Sequence, residues 1–417
     1  MKLISIFLLP LILMATLPEA NAQEPSNPAL LAFETVIKTM KSNYFDQSYN
    51  GLEWDKLVAE TRSKISAEKD SAKAYNEIKV LLKKLGHSHL EFSPPYEIKA
   101  MEENNKLKAS GSPKELPFQF ELYEDQLLIT KVDAKSDAYQ AGLRPGMLVQ
   151  QIADMKVKDL IKIYPVHAQF FIPLFRYPEE TIQLQGVNHK KEPFQLKFKL
   201  EFFKGKLLAL GNIQGYPGEF ESKILDSNIG YVRFNIFLPE PVTNAVKAIK
   251  SMKDCKGIII DLRNNPGGAG ILSCALAKEF CEKNYLLGTQ HTTADNGVAE
   301  LRFPVQAQKE PIKSKVVILI NGSSASTSEI LAIGMQENKS AIIVGTKSPG
   351  LALPSLILNL DDGSIFQYPI ADFKTPNNKS LEGLGVKPDY EVKLSPEKLA
   401  EGQDDQINKA IEIILKN

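Results

Sequence analysis

The apolar run Val316-Val317-Ile318-Leu319-Ile320 leads into Asn321-Gly322-Ser323-Ser324-Ala325-Ser326-Thr327-Ser328-Glu329 and then into a helical pattern. A serine at a strand-to-helix turn is exposed, and the unpaired N–H groups of the new helix point toward whatever it attacks. That suits a nucleophile for acyl transfer, since the same turn stabilises an oxyanion. The same letters also read as a capping box, with a Glu a few residues after a Ser/Thr run, and the local pattern leaves both readings open. His87-Ser88-His89 follows a predicted helix stop at Gly86. Imidazole titrates near neutrality and can take and return a proton. His-x-His is also a metal-pair spacing, but no cluster of His or Cys elsewhere offers a third ligand, so neither a metal nor a cofactor is expected. His167, His189 and His291 stand alone.

The elements that must carry these residues change along the chain. Residues 27 to 85 predict three helices: Leu30, Phe33, Val36, Ile37 and Met40 share one face, Trp54, Leu57, Val58 and Ile65 a second, and Ala74, Ile78, Leu81, Leu82 and Leu85 a third. Met101 to Lys114 is polar and reads as a linker. Gln126–Val132 predicts a strand, Ser136–Gln140 a short helix and Met147–Ile152 a second strand, joined by the turn Ala141-Gly142-Leu143-Arg144-Pro145-Gly146. This order resembles the middle of a PDZ domain, with Met147 where that family commonly has Asp; it also fits a small β-domain with no ligand. From about residue 225, apolar runs alternate with helices: Ile229–Ile236, Gly257–Leu262, Val316–Ile320 and Ala341–Val344 as strands, with Val242–Lys250, Ser273–Glu282 and Glu329–Gln336 as helices. Near-continuous apolar strands are those covered on both faces, which predicts an α/β core. Cys274 and Cys281, seven apart on one predicted helix, read as core packing.

With 417 residues, two or three domains are expected. Lys+Arg and Asp+Glu are both 50, a balance that gives no sign of a nucleic-acid surface or a polybasic membrane anchor. Three cysteines cannot build a disulfide framework. Met1-Lys2, the apolar stretch Leu3 to Leu17 and Ala20-Asn21-Ala22 have the form of an export signal cleaved before Gln23. A periplasmic or secreted protein without stable membrane insertion is expected.

Three separated motifs, "KGIIIDLRNNPGG" at 256–268, "VVILINGSSASTSE" at 316–329 and "EGLGVKPD" at 382–389, together resemble the S41 family of serine peptidases, which includes the C-terminal processing and tricorn-type enzymes. The resemblance implies a ClpP/crotonase-like α/β peptidase core (201–417), a PDZ-like β-rich insertion (111–200) and an N-terminal helical region (23–100) after the signal (1–22). It implies Ser326 as nucleophile, with an oxyanion hole from the N–H groups of Thr327 and of Gly267 or Gly268. The processing branch takes its lysine base 25 residues after the serine, and here that offset falls on Leu351; Lys347 comes four residues early. The tricorn-like branch uses histidine, serine and glutamate, and the matching residues are His89 as base with Ser88 and Glu382 to orient it. The implied function is an exported endopeptidase acting on unfolded or loosely folded polypeptides. The missing lysine also admits an inactive homologue that binds peptides or other ligands, and the same machinery could serve a small-substrate esterase or amidase.

Overall fold

Apolar side chains at helical spacing make the first described stretch three helices, α1 (Pro28–Asn43), α2 (Trp54–Ala67) and α3 (Ser71–Lys83). The computed structural model describes residues 27–99, 114–163, 181–203, 205–210, 213–292 and 300–416. The expected export signal, nearly all of the linker, and His167 lie outside them. Asn27 and Asp70 cap α1 and α3, each accepting two backbone N–H bonds. The apolar faces of the three helices do not close on one another alone. Their core also takes in Leu360, Phe366 and Tyr368, residues far along the chain. After α3 a three-residue strand, β1 (Glu91–Ser93), pairs with residues 365–367 of that distant segment.

A second core belongs to an antiparallel sheet in the order β2 (Phe118–Tyr123), β3 (Gln126–Val132), β4 (Leu148–Ile152), β5 (Thr181–Val187), β6 (Pro193–Lys199). The short helix is Asp137–Gln140, with Ser136 as its cap. Gly146 holds φ +86°, and a Cβ there would lie 2.2 Å from the Pro396 carbonyl oxygen, so this turn seats directly on the 396–400 helix.

The third unit is a six-stranded sheet. It runs in the order β7 (Phe220–Leu225), β8 (Ile229–Phe234), β9 (Gly257–Asp261), β10 (Lys315–Ile320), β11 (Ile342–Gly345) and a short last strand at Tyr390–Glu391. Only the β7–β8 pair is antiparallel. The apolar runs are continuous because both faces are covered. Ile258, Ile260, Val316, Ile318 and Ile320 face one core, with α4 (Pro239–Ser251), α5 (Leu272–Ala277) and α6 (Thr327–Glu337). Ile259, Val317 and Leu319 face the other, under α7 (Asp405–Leu415). Burying each such side chain stabilises by about 1.5–3 kcal/mol. Between β11 and the last strand, the hairpin β12 (Ser355–Asn359) and β13 (Ile365–Pro369) reaches out to the N-terminal helices.

The predicted helix Ser273–Glu282 is shorter than expected. After Ala277 it tightens into a 3₁₀ turn, Lys278–Phe280, and Cys281 is already extended. Cys274 and Cys281 therefore do not share a helix. All three cysteines are free thiols; Cys255 and Cys281 are buried and Cys274 is partly so.

Candidate active site

Parallel neighbours β9 and β10 release their following loops side by side at their carboxyl ends, the usual place for a site in an open α/β sheet. Asparagine side chains lace these loops together. Asn321 Oδ1 accepts from the N–H of Asn264 (3.0 Å) and of Ser323 (3.0 Å), while its Nδ2 donates to Asn264 Oδ1 at 2.9 Å. Two hydroxyls of the serine run are consumed in the same lacing. Ser324 donates to the Leu262 carbonyl (2.8 Å) and Ser328 to the Asn265 carbonyl (2.9 Å), and both side chains are fully buried. Ser326 is different. It is partly exposed, and its backbone sits at φ 53°, ψ −116° at the start of α6, a conformation costing about 1–3 kcal/mol for a residue with a Cβ. Glu329 supplies the return half of a capping box, accepting the Ser326 N–H at 3.0 Å. Burial pushes the Glu329 carboxyl up to about 7, against the pull of its hydrogen bonds.

Gly267 lies against this elbow with φ +101°. A Cβ there would stand 2.7 Å from Ser326 Cβ and 2.8 Å from the Thr327 nitrogen, so only glycine fits. Its N–H donates to Asn265 Oδ1 at 2.9 Å and is thereby committed. The Thr327 hydroxyl donates to the Gly268 carbonyl at 2.8 Å, fixing the next peptide beside the helix N-terminus. Below the loop, burial raises the Asp261 carboxyl, but the Arg263 and Arg233 guanidiniums overcome it and hold the group well below the usual carboxylate range. Arg263 binds both Asp261 oxygens (2.9 and 2.6 Å) and reaches Asp404 at 2.8 Å, tying the loop to α7.

The histidine segment comes from the other side. Gly86, at φ +69°, turns the chain out of α3. The ring of His87 meets the buried Tyr44 hydroxyl at 2.5 Å, and burial lowers its pKa. Ser88 turns the opposite way: its N–H and hydroxyl donate to Glu382 Oε1 (2.8 Å) and Oε2 (3.0 Å), and its Oγ lies 2.9 Å from His89 Nδ1. With Glu382 ionised, the Ser88 proton points to the carboxylate. Ser88 Oγ then accepts from His89 Nδ1–H, which leaves Nε2 as the proton-accepting nitrogen of the ring. Burial raises the Glu382 carboxyl against the bonds from Ser88 and Ala352. His89 itself holds φ +56°. Leu351, at the offset of the dyad lysine, is buried, and Lys347 is exposed.

The structure thus gathers Ser88, His89 and Glu382 into one hydrogen-bonded chain, and Ser326, Gly267, Gly268 and Thr327 into a second cluster. Asn265 and Asn321, which hold that cluster in shape, carried no signal in the sequence beyond their place in the motifs.

Residues 228–392 match the model of peptidase family S41. Over that segment the chain is similar to S41 peptidases. Among similar proteins, the "C-terminal processing peptidase, chloroplastic" of Tetradesmus obliquus is 26% identical over 385 residues, 91% of this chain and 80% of that protein. The "Carboxy-terminal-processing protease" of Bartonella bacilliformis is 30% identical over 181 residues, 42% of this chain and 41% of its own length. The solved "photosystem II D1 C-terminal processing protease" shares the fold at a TM-score of 0.60 and 21% identity, covering 89% of this chain and 94% of that one. The α/β core expected from the motifs is the one present, and the matched family segment and the processing-protease relatives support a serine-type peptidase.

Proposed function

We propose that this protein is exported and cuts unfolded or loosely folded polypeptides through an acyl-enzyme on Ser326. A serine-type peptidase admits two bases, and the observation that carries the choice is the unbroken Glu382–Ser88–His89 chain of hydrogen bonds. In this reading His89 Nε2 takes the Ser326 proton as Oγ attacks the scissile carbonyl, and returns it to the leaving amine. Ser88 and Glu382 hold the ring and stabilise the imidazolium. The oxyanion is met by the N–H groups of Thr327 and Gly268, because the Gly267 N–H is already committed to Asn265. The burial of Ser324 and Ser328 supports Ser326 as the attacking member of the run. Export rests on the signal-like residues 1–22, and among the described residues no helix is long and apolar enough to cross a membrane. The 118–199 sheet, in a PDZ-like role, presents chain ends.

The test is a fluorophosphonate probe on the purified protein, with the modified residue mapped by mass spectrometry. Label on Ser326, lost in Ser326→Ala with the thermal midpoint within about 2–4 °C of the parent, is the expected result, since removing a helix-start serine costs about 1 kcal/mol. Absence of label in the folded parent would favour an inactive binding protein, a reading motivated by Leu351 in the dyad position. Label on Ser324 or Ser328 would shift the register.

A further inference from the structure

Glu329 has no part in the proton transfers above, yet its side chain is completely buried and each of its oxygens takes two donors. Oε2 accepts from Ser326 N–H (3.0 Å) and Leu351 N–H (2.8 Å); Oε1 accepts from Gly350 N–H (2.7 Å) and the Ser348 hydroxyl (2.5 Å). Three of these donors are backbone groups that cannot accept. Ser348 Oγ already accepts the Val386 N–H at 2.6 Å, so its own proton goes to Glu329. A carboxylate, which only accepts, matches all four, so the donor geometry favours the ionised form although burial opposes it; a neutral acid would bring its proton into a ring of groups that also offer protons. A helix cap accounts for one of the bonds and leaves three that lie outside the helix.

Those three reach residues 348–351, and the following residue, Ala352, gives its N–H to Glu382 at 3.2 Å. The adjacent N–H groups of Leu351 and Ala352 are thus held by two different carboxylates. One grips the backbone of the nucleophile and the other grips the serine that orients the base. We propose that Glu329 is a positioning residue, a buried carboxylate clamp that fixes the strained Ser326 backbone and sets the register of the Glu382–Ser88–His89 chain against it through segment 348–352. Leu351 serves this connection through its backbone. The inference rests on Ser326 as nucleophile.

The experiment measures fluorophosphonate labelling of Ser326 at increasing probe concentration, separating the limiting rate from the half-saturating concentration, on variants shown to be folded by near-ultraviolet circular dichroism. A misplaced nucleophile loses rate, with binding little changed. For Glu329→Gln the limiting rate is expected to fall at least about 30-fold with the half-saturating concentration within about threefold of the parent, and Glu329→Asp, which keeps the charge, to recover part of the rate. Should Glu329→Gln fail to fold, Ser348→Ala removes one donor and is expected to slow labelling about fivefold. A folded Glu329→Gln or Ser348→Ala that labels as fast as the parent overturns the clamp. If the parent itself is not labelled at Ser326, it is the nucleophile assignment that has failed.

Discussion

Ser326 leaves the end of β10, a strand paired in parallel on both flanks, whose residues alternate between two cores. Ser88 and His89 hang instead from α3, in a core that is completed by Phe366 and Tyr368 on a hairpin, and they are followed by a strand of only three residues. Backbone ladders on either side hold the support of Ser326 in place. His89 is registered against it through side-chain bonds: Ser88 to Glu382, and Glu382 to Ala352. Rigidity is therefore unequally distributed. Ser326, the proposed nucleophile, is built onto the sheet, whereas the placement of His89, the proposed base, depends on how the helical layer docks.

The largest effect should come from removing the proposed base. His89→Ala is expected to lower peptide hydrolysis by about 10³- to 10⁶-fold, as for a member of a cooperating set, while Lys347→Ala, on an exposed side chain, stays near parental rate. A dead Lys347→Ala beside a live His89→Ala would move the base to the other side of the comparison. Next, Glu382→Gln keeps the shape of the orienting group and removes its charge, and kcat should fall about 10²- to 10⁴-fold with little change in KM. The smallest effects test the two foundations. Ile259→Ala under the sheet should cost about 2–5 kcal/mol of stability, and Phe366→Ala in the helical layer about 3–5 kcal/mol. Measured per folded molecule, Ile259→Ala should keep its kcat and Phe366→Ala should lose several-fold. Equal kcat in the two folded variants would show that docking of the helical layer does not limit alignment.

The same inequality governs what could be read from the chain. Gly257–Asp261 and Lys315–Ile320 are legible because burial on both faces leaves an unbroken aliphatic signature. The three N-terminal helices are legible by period, but nothing local says that Phe366 and Tyr368 complete their core, since hairpin and helices meet only in the folded state. The helix expected through Cys281 overran because its apolar letters continue past the point where the backbone extends. At the site, Ser326, Ser88, His89 and Glu382 came from the motif resemblance, and the structure groups the last three by hydrogen bonding. The commitment of the Gly267 N–H to Asn265 had no such marker, because a backbone donor's partner depends on loop geometry that residue types do not encode. Glu329 was visible only as a capping letter; its bonds to 348–351 span about twenty residues without periodicity.

The Ser88–Glu382 bonds join positions 294 residues apart. Loop closure adds only about 0.6 kcal/mol per doubling of length, but contacts so far apart in sequence are expected to form after the local helices and neighbouring strands have condensed. Joining of Ser88 and His89 to Glu382 is then expected late in folding, and a half-refolded chain would hold Ser326 and His89 unassembled. In refolding from denaturant, the fluorescence of Trp54, within the helical core, should recover before labelling at Ser326 does. If labelling lags in this way, the long closure would act as a safety interval written into chain order.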